Sequence, residues 1–426
     1  MKKRLTTLLA CIASSHAYAT VSVGDFQING FFSAGATWST VEFLNTGVEP
    51  VYLSLIRQRP SWEKDTNVGL QFTKFLREDV SVTTQLFAEG ARDFDVEASW
   101  AFIKWEPSDR WQFRAGRVRT QTYMLSDYVD VGYAYPWIRP PQEVYSQIPA
   151  SFSNVTGVDA RFKTVLWGQD LTLSGFYGAT NAELEFPIPS GNTILDFVDV
   201  RLRDMYVINL RFGDETFSVR AGYEATSVTL SPNAGTVMEG LNTALNTMVG
   251  FGILSPDYIN YYSAYNASAS FKGIGYQFDW NNFVSMGELV KRHVATPIVA
   301  DVIGWYLMGG YRYNELMPHI TFARERLADN YTRRFSGSAN AFATALGLRQ
   351  NLSQISQALI GTSPYFDGGA GEQTSVTVGL RWDVYEGIAI KGEYCHVHPD
   401  RYSPGLFDVL PHKSVNIYSL AVDAVM

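Results

Sequence analysis

The sequence predicts an all-β chain, a sixteen-stranded antiparallel transmembrane β-barrel, and three observations carry that expectation. Charged residues make up only 18% of the chain, against about 25% in soluble globular proteins, while aromatics reach 14%. Segments of about ten residues with apolar side chains at every second position recur along the chain, as strands with two unlike faces require. The connections between them alternate strictly between short turns and long loops, an asymmetry of membrane barrels. No run of 18 apolar residues is present, so the expected crossing is not helical. A closed sheet satisfies every backbone group in lipid without helices.

The chain opens on an expected secretory signal over residues 1–19. Lys2, Lys3 and Arg4 form its basic end, residues 5–14 its apolar run, and Ala17-Tyr18-Ala19 its cleavage site. Its removal takes three bases and no acid, leaving a chain more acidic than the −8 of the whole. That balance argues against nucleic acid as a partner. Cys11 leaves with the signal and Cys395 remains alone, so no intramolecular disulfide is expected. Residues 20–426 read as a single domain.

The first strand is "FQINGFFSAGATWS" (26–39). Seven hairpins follow: 67–76 with 80–90, 96–105 with 111–119, 157–166 with 171–179, and 205–212 with 216–226. The rest are 270–278 with 283–292, 305–313 with 318–326, and 375–384 with 388–397. Each pair flanks a short turn rich in turn formers, such as "RED", "WGQD" or "YEG". "SVNIYSLAVDAVM" (414–426) makes the sixteenth strand. In 157–166, Val158, Ala160, Phe162, Thr164 and Leu166 alternate with Asp159, Arg161 and Lys163. An Arg or Lys facing lipid at the midplane costs about 2–4 kcal/mol, so the charged row is expected to face a wet lumen. Trp280, Tyr311, Trp382, Tyr394 and Tyr418 fall near strand ends, where interfacial girdles sit. Apolar spacings of three and four predict short helices over 236–249 and 339–359, inside two long outer loops.

Several stretches resemble the Gram-negative outer-membrane porin family. "FQINGFFSAGATW" resembles its first strand, "FRAGRVR" (113–119) the Gly-Arg strand before its constriction loop, and "GGYRYNELMPHITFA" (309–323) its late hairpin. "YSLAVDAVM" resembles the C-terminal strand read by the barrel-assembly machinery, although the family usually ends in Phe and Met426 stands here. The similarity covers the whole chain after the signal at the level of architecture.

The resemblance implies a homotrimer in outer-membrane lipid that passes small hydrophilic solutes by passive diffusion. It also implies that the long connection after the fifth strand, 120–156, folds inward as a constriction loop. The loop acids would be Asp127, Asp130 and Glu143, with Arg139 its one base. Tyr and Trp residues of the loop could anchor it. Facing them, the candidate wall bases are Arg117, Arg119, Arg161, Lys163, Arg220 and Arg381, with Asp159 as a wall acid. Arg117 matches the family's pore-facing arginine, and parity then puts Arg114 on the other face. In the last strand, Tyr418, Leu420, Val422 and Met426 share the lipid-facing row. A substrate-selective channel for anions, sugars or dicarboxylates, and a non-conducting barrel whose loops bind a partner, stay open as alternatives. No enzyme, cofactor or metal site is expected: the five His outside the signal sit in no recognisable catalytic motif, and His396-x-His398 has no third ligand.

Overall fold

The structure, a computed structural model, describes residues 21–42, 49–149, 152–187, 195–232, 264–296, 299–328, 372–400, 404–408 and 411–426, with five single positions between 243 and 256. The expected signal, the helix expected over 339–359 and most of that over 236–249 lie outside these residues. The strands are β1 (Val21–Val23), β2 (Phe26–Ser39), β3 (Asn67–Arg77), β4 (Val80–Glu89), β5 (Glu97–Ser108), β6 (Trp111–Arg119), β7 (Asn154–Leu166) and β8 (Gln169–Pro187). They continue with β9 (Leu195–Gly213), β10 (Phe217–Pro232), β11 (Ala267–Trp280), β12 (Phe283–Val294), β13 (Val302–Tyr311), β14 (Leu316–Leu327), β15 (Gln373–Tyr385), β16 (Ile388–Pro399) and β17 (Val415–Val425).

From β2 to β17 each strand pairs antiparallel with the next, and β17 pairs with β2 to close the sheet. Closure gives each of β2 to β17 a partner strand on both sides. All sixteen expected strands are present. The short strand β1 is additional. It pairs with Phe26–Ile28 on the same edge of β2 that β17 occupies farther along, so it continues the wall past the end of β17. At that junction Gly30 and Met426 exchange both backbone hydrogen bonds, each 2.9 Å.

The outward rows are apolar: Val158, Ile208, Ile274, Leu289, Leu307, Val378 and Leu420 are all exposed. Aromatics bound this belt at both ends. Trp105, Trp111, Phe217, Trp280, Phe283 and Trp382 ring the short-turn end, and Trp38, Tyr418 and Tyr394 stack side by side toward the long loops. Such a surface fits a bilayer and would aggregate in water.

Three strands depart in length. β8 and β9 run 19 residues and β10 runs 16, where the alternation suggested eight to eleven. Past register shifts at Gly178/Thr180 and Ala225/Ser227, the outward face turns polar: Asp199, Arg201 and Arg203 point out while Val198, Val200 and Leu202 are buried inside. The wall therefore rises beyond the apolar belt, and the β-bulges mark where it leaves lipid.

The connection between β6 and β7 enters the barrel. Tyr123, Leu125, Tyr128, Val131, Tyr135, Trp137 and Val144 pack in one cluster with Phe31, Phe271, Met286, Tyr306 and Met308 of the wall. Among its described residues the one α-helix is a single turn, α1 (Gln142–Tyr145).

Candidate functional site

A loop inside a barrel lumen carries a full set of backbone donors and acceptors into a partly dry space. Each needs a partner. The wall supplies them with charged side chains. Lys391 donates its ammonium to the carbonyls of Gly132, 2.6 Å, and Trp137, 2.7 Å, while pairing with Asp423 at 2.8 Å. Arg381 donates to the carbonyls of Tyr133 and Tyr135, and Arg220 to those of Gln121 and Thr122. Glu393 accepts from the Ile138 amide, 2.8 Å, and Glu288 from the Met124 amide, 2.9 Å, and the Tyr145 hydroxyl, 2.8 Å. Trp137, only 1% exposed, donates its indole N–H to Thr321 at 2.8 Å. Gly132 sits so close to Asp423 and Ser33 that a Cβ there would run into both side chains.

The four expected loop residues separate into two pairs by this geometry. Asp127 and Asp130 face bases of the wall: Arg161 at 3.5 Å and Arg119 at 2.7 Å. Asp127 keeps 45% of its side chain open to the lumen though the barrel encloses it. Burial opposes its charge, but Arg161 and Arg114, with an amide of Gln121, hold its carboxyl below the ordinary value. Arg139 and Glu143 are instead packing anchors. Arg139 pairs with Asp65 and donates to Thr37 and Ser419, so it ties the loop to β2 and β17. Glu143 is buried and accepts from Gln373 at 2.7 Å. Burial raises its pKa, with the hydrogen bonds from Ser375 and Gln373 working against that rise.

On the wall, Arg161, Lys163 and Arg220 line a cavity of about 140 Å³ together with Asp127, Tyr128, Asn209 and Gln277. The cavity lies between loop residues 121–128 and strands β7 to β11. Its lining holds four bases, Arg161, Lys163, Arg211 and Arg220, against one acid, Asp127. Arg211 was not among the expected residues, although its signal was present: it alternates with Ile208, Leu210 and Phe212 on the row of Asn209.

The expectation for Arg114 and Arg117 is reversed. Arg114 stands in register with Asp159, pairs with it through two nitrogens at 2.5 and 2.7 Å, and lines a lumen recess with Gln121 and Arg161. Arg117 stands in register with Ala101 and Thr156, on the row whose neighbours Ile103, Ala115 and Val158 face outward. Its nearest acid is Glu97, 3.7 Å away. Arg119 lies one step past Val118, is 7% exposed, and reaches the loop at Asp130.

In the last strand, Tyr418, Leu420 and Val422 lie on the outward row and Ser419, Ala421 and Asp423 on the inward one. Met426 is half-exposed, with its side chain over Gly30. His396 and His398 bond Asn416 and Ser414, one each.

No protein-family model matches the chain, and no curated protein sequence matches it. Solved structures resemble it in fold. OmpF of Salmonella typhi, in a complex with daunomycin, aligns over 96% of this chain and 100% of its own at 10% identity and a TM-score of 0.55. An anion-selective porin from Comamonas acidovorans aligns over 94% and 99% at 8% identity and 0.54. The outer-membrane channel DcaP of Acinetobacter baumannii aligns over 94% and 97% at 10% identity and 0.54. The fold of this chain is that of the Gram-negative outer-membrane porins.

Proposed function

We propose that the chain is an outer-membrane porin, a water-filled channel for passive diffusion of small hydrophilic solutes and ions. The observation that carries this reading is the loop packed inside the barrel, which leaves a polar, charge-lined cavity against strands β7 to β11. A barrel that served only to display surface loops would have no need to hold a segment in its lumen with so many buried charges. The long loops then face the outside and the short turns the periplasm. The homotrimer and the insertion by barrel-assembly machinery belong to the same reading, by resemblance alone.

The lining also favours a sign. Four bases face one acid at the cavity, and rings of like charge set ion preference in channels. Anions should therefore pass more readily than cations. Single-channel recording in a planar bilayer tests both statements. Stable ohmic steps are expected, with a reversal potential in a KCl gradient that reports chloride preference. Silence from well-inserted protein overturns the channel, and potassium preference overturns the sign.

A further inference from the structure

The outer surface of the barrel carries a charged face that the pore does not use. Lys272 on β11, Lys291 on β12 and Arg324 on β14 point outward and are exposed. Each lies within five residues of the long-loop end of its strand. Exposed carbon stands beside them toward the membrane: Ile274, Leu289, Trp305 and Phe322. The three bases therefore mark the rim of the apolar belt, where a lipid-facing cation costs least.

These charges have no counter-charge on their own face. Lys272 and Lys291 stand directly opposite each other in the register of β11 and β12, a placement that like charges disfavour. The Tyr223 ring lies 5.7 Å from the Lys272 ammonium. Among the described residues no carboxylate forms a salt bridge with any of the three, and the outward rows of β11 to β14 hold no Asp or Glu. The acids nearby are engaged elsewhere. Asp301 is buried and pairs with His293 at 2.7 Å. Glu372, one step past the Glu325–Gln373 pair of β14 and β15, accepts from the Leu327 amide at 3.0 Å. On the opposite side of the barrel, by contrast, Arg92 pairs with Glu89 and Glu97, and Arg117 lies 3.7 Å from Glu97.

An occupant that suits this face brings negative charge to the rim and carbon to the belt beneath it. An anionic lipid does both, whereas a soluble anion leaves the carbon uncovered. The bases also form two poles. Lys272 and Lys291 make one, and Arg324 makes the other, two strands from Lys291 and roughly 12 Å from it by strand spacing and rise. A headgroup with phosphates at the two ends of a disaccharide reaches both poles, and a headgroup with one phosphate reaches one.

We propose that this face binds a diphosphorylated glycolipid of the outer leaflet, one phosphate between Lys272 and Lys291, the other on Arg324, and acyl chains along Ile274, Leu289 and Phe322. The site rests on the porin reading for its orientation, with the long loops outside. It needs no current: a conducting barrel that retains no glycolipid overturns the site alone, and a silent barrel that retains it overturns the channel alone.

The test is native mass spectrometry of the folded barrel in detergent micelles, titrated with diphosphoryl lipid A. Monophosphoryl lipid A, phosphatidylglycerol and inorganic phosphate are the comparisons. One retained diphosphoryl lipid per chain is expected, at least about fivefold tighter than either single-phosphate lipid, the scale of one base at an anionic lipid surface. Inorganic phosphate should not displace it. The double variant Lys272→Gln/Lys291→Gln should weaken retention at least about tenfold and keep wild-type conductance. Lys74→Gln, at the short-turn end, should change neither. Heat-modifiable mobility on gels reports that each variant is folded. Equal retention of the single-phosphate lipids, displacement by inorganic phosphate, an unchanged double variant, or no lipid on the folded wild type each overturns the proposal.

Discussion

Asp127 and Glu143 are acids of the same inward loop, and the barrel gives them opposite environments. Asp127 looks into the charge-lined cavity, and Arg161 and Arg114 hold its pKa down against burial. A folded-state pKa below the unfolded one adds stability that is present above the unfolded value and lost as pH falls through the folded one. Asp127 therefore stays charged through mild acid. Asp127→Asn should move the reversal potential further toward chloride at pH 7 and also at pH 5, and Lys163→Gln should move it the other way. An unchanged potential for both would take the cavity off the conduction path. Glu143 behaves in the reverse sense, since burial raises its pKa. Its contribution is fully present below the unfolded pKa and is lost as pH rises through the folded one. Glu143→Gln, which keeps a hydrogen-bond acceptor for Gln373, should flatten the fall in Tm between pH 4 and pH 8. Equal pH dependence of the two proteins in thermal unfolding would refute the assignment. The sequence offered both residues as loop acids of one kind. Nothing in it separated a lumen-facing carboxylate from a packed one, because that depends on which wall residue the loop meets.

At the scale of elements, the inward loop is held by wall charges, and these are the strongest places to test it. Lys391 is 1% exposed and pairs with a buried Asp423. Removing one partner of a buried ion pair costs about 3–5 kcal/mol, so Lys391→Met should lower stability on that order and release the Gly132 and Trp137 carbonyls. Trp137→Ala removes the loop's most buried ring, and losses of this kind cost about 3–5 kcal/mol. Both variants should show larger or noisier single-channel conductance, with a lower denaturation midpoint in detergent. Wild-type conductance in a folded Trp137→Ala variant would mean the loop does not narrow the path. Several inward charges of the wall, Arg220, Arg381, Glu288 and Glu393 among them, act first as clamps on loop backbone. The alternation of β12 or β16 could place such a residue inside. It could not assign a partner more than 100 residues away in the chain.

For the whole molecule, closure decides everything else. β17 pairs with β2 along Ile417–Val425, and Met426 completes the ladder against Gly30. Deleting 418–426 removes that pairing, leaving two open edges of the wall in lipid. The truncated chain is expected to give no heat-modifiable barrel. Met426→Phe is expected to assemble normally, because the side chain is half-exposed and the backbone pairing with Gly30 does not depend on it. A heat-modifiable truncated barrel, or a misassembled Phe variant, would contradict the respective expectation.

By itself the sequence determined the strand count, the antiparallel order, the turn asymmetry and most of the lumen row, since period two follows from the pleat and needs no tertiary partner. The place where β8 to β10 leave the lipid was not readable. There alternation continues unbroken while the faces exchange polarity, and a bulge shows only in the register between strands. The basic cavity against β7 to β11, and the exchange of roles between Arg114 and Arg117, were decided by the tertiary structure alone. Each depends on where one long loop lands on a closed wall, a contact between segments that no local pattern records.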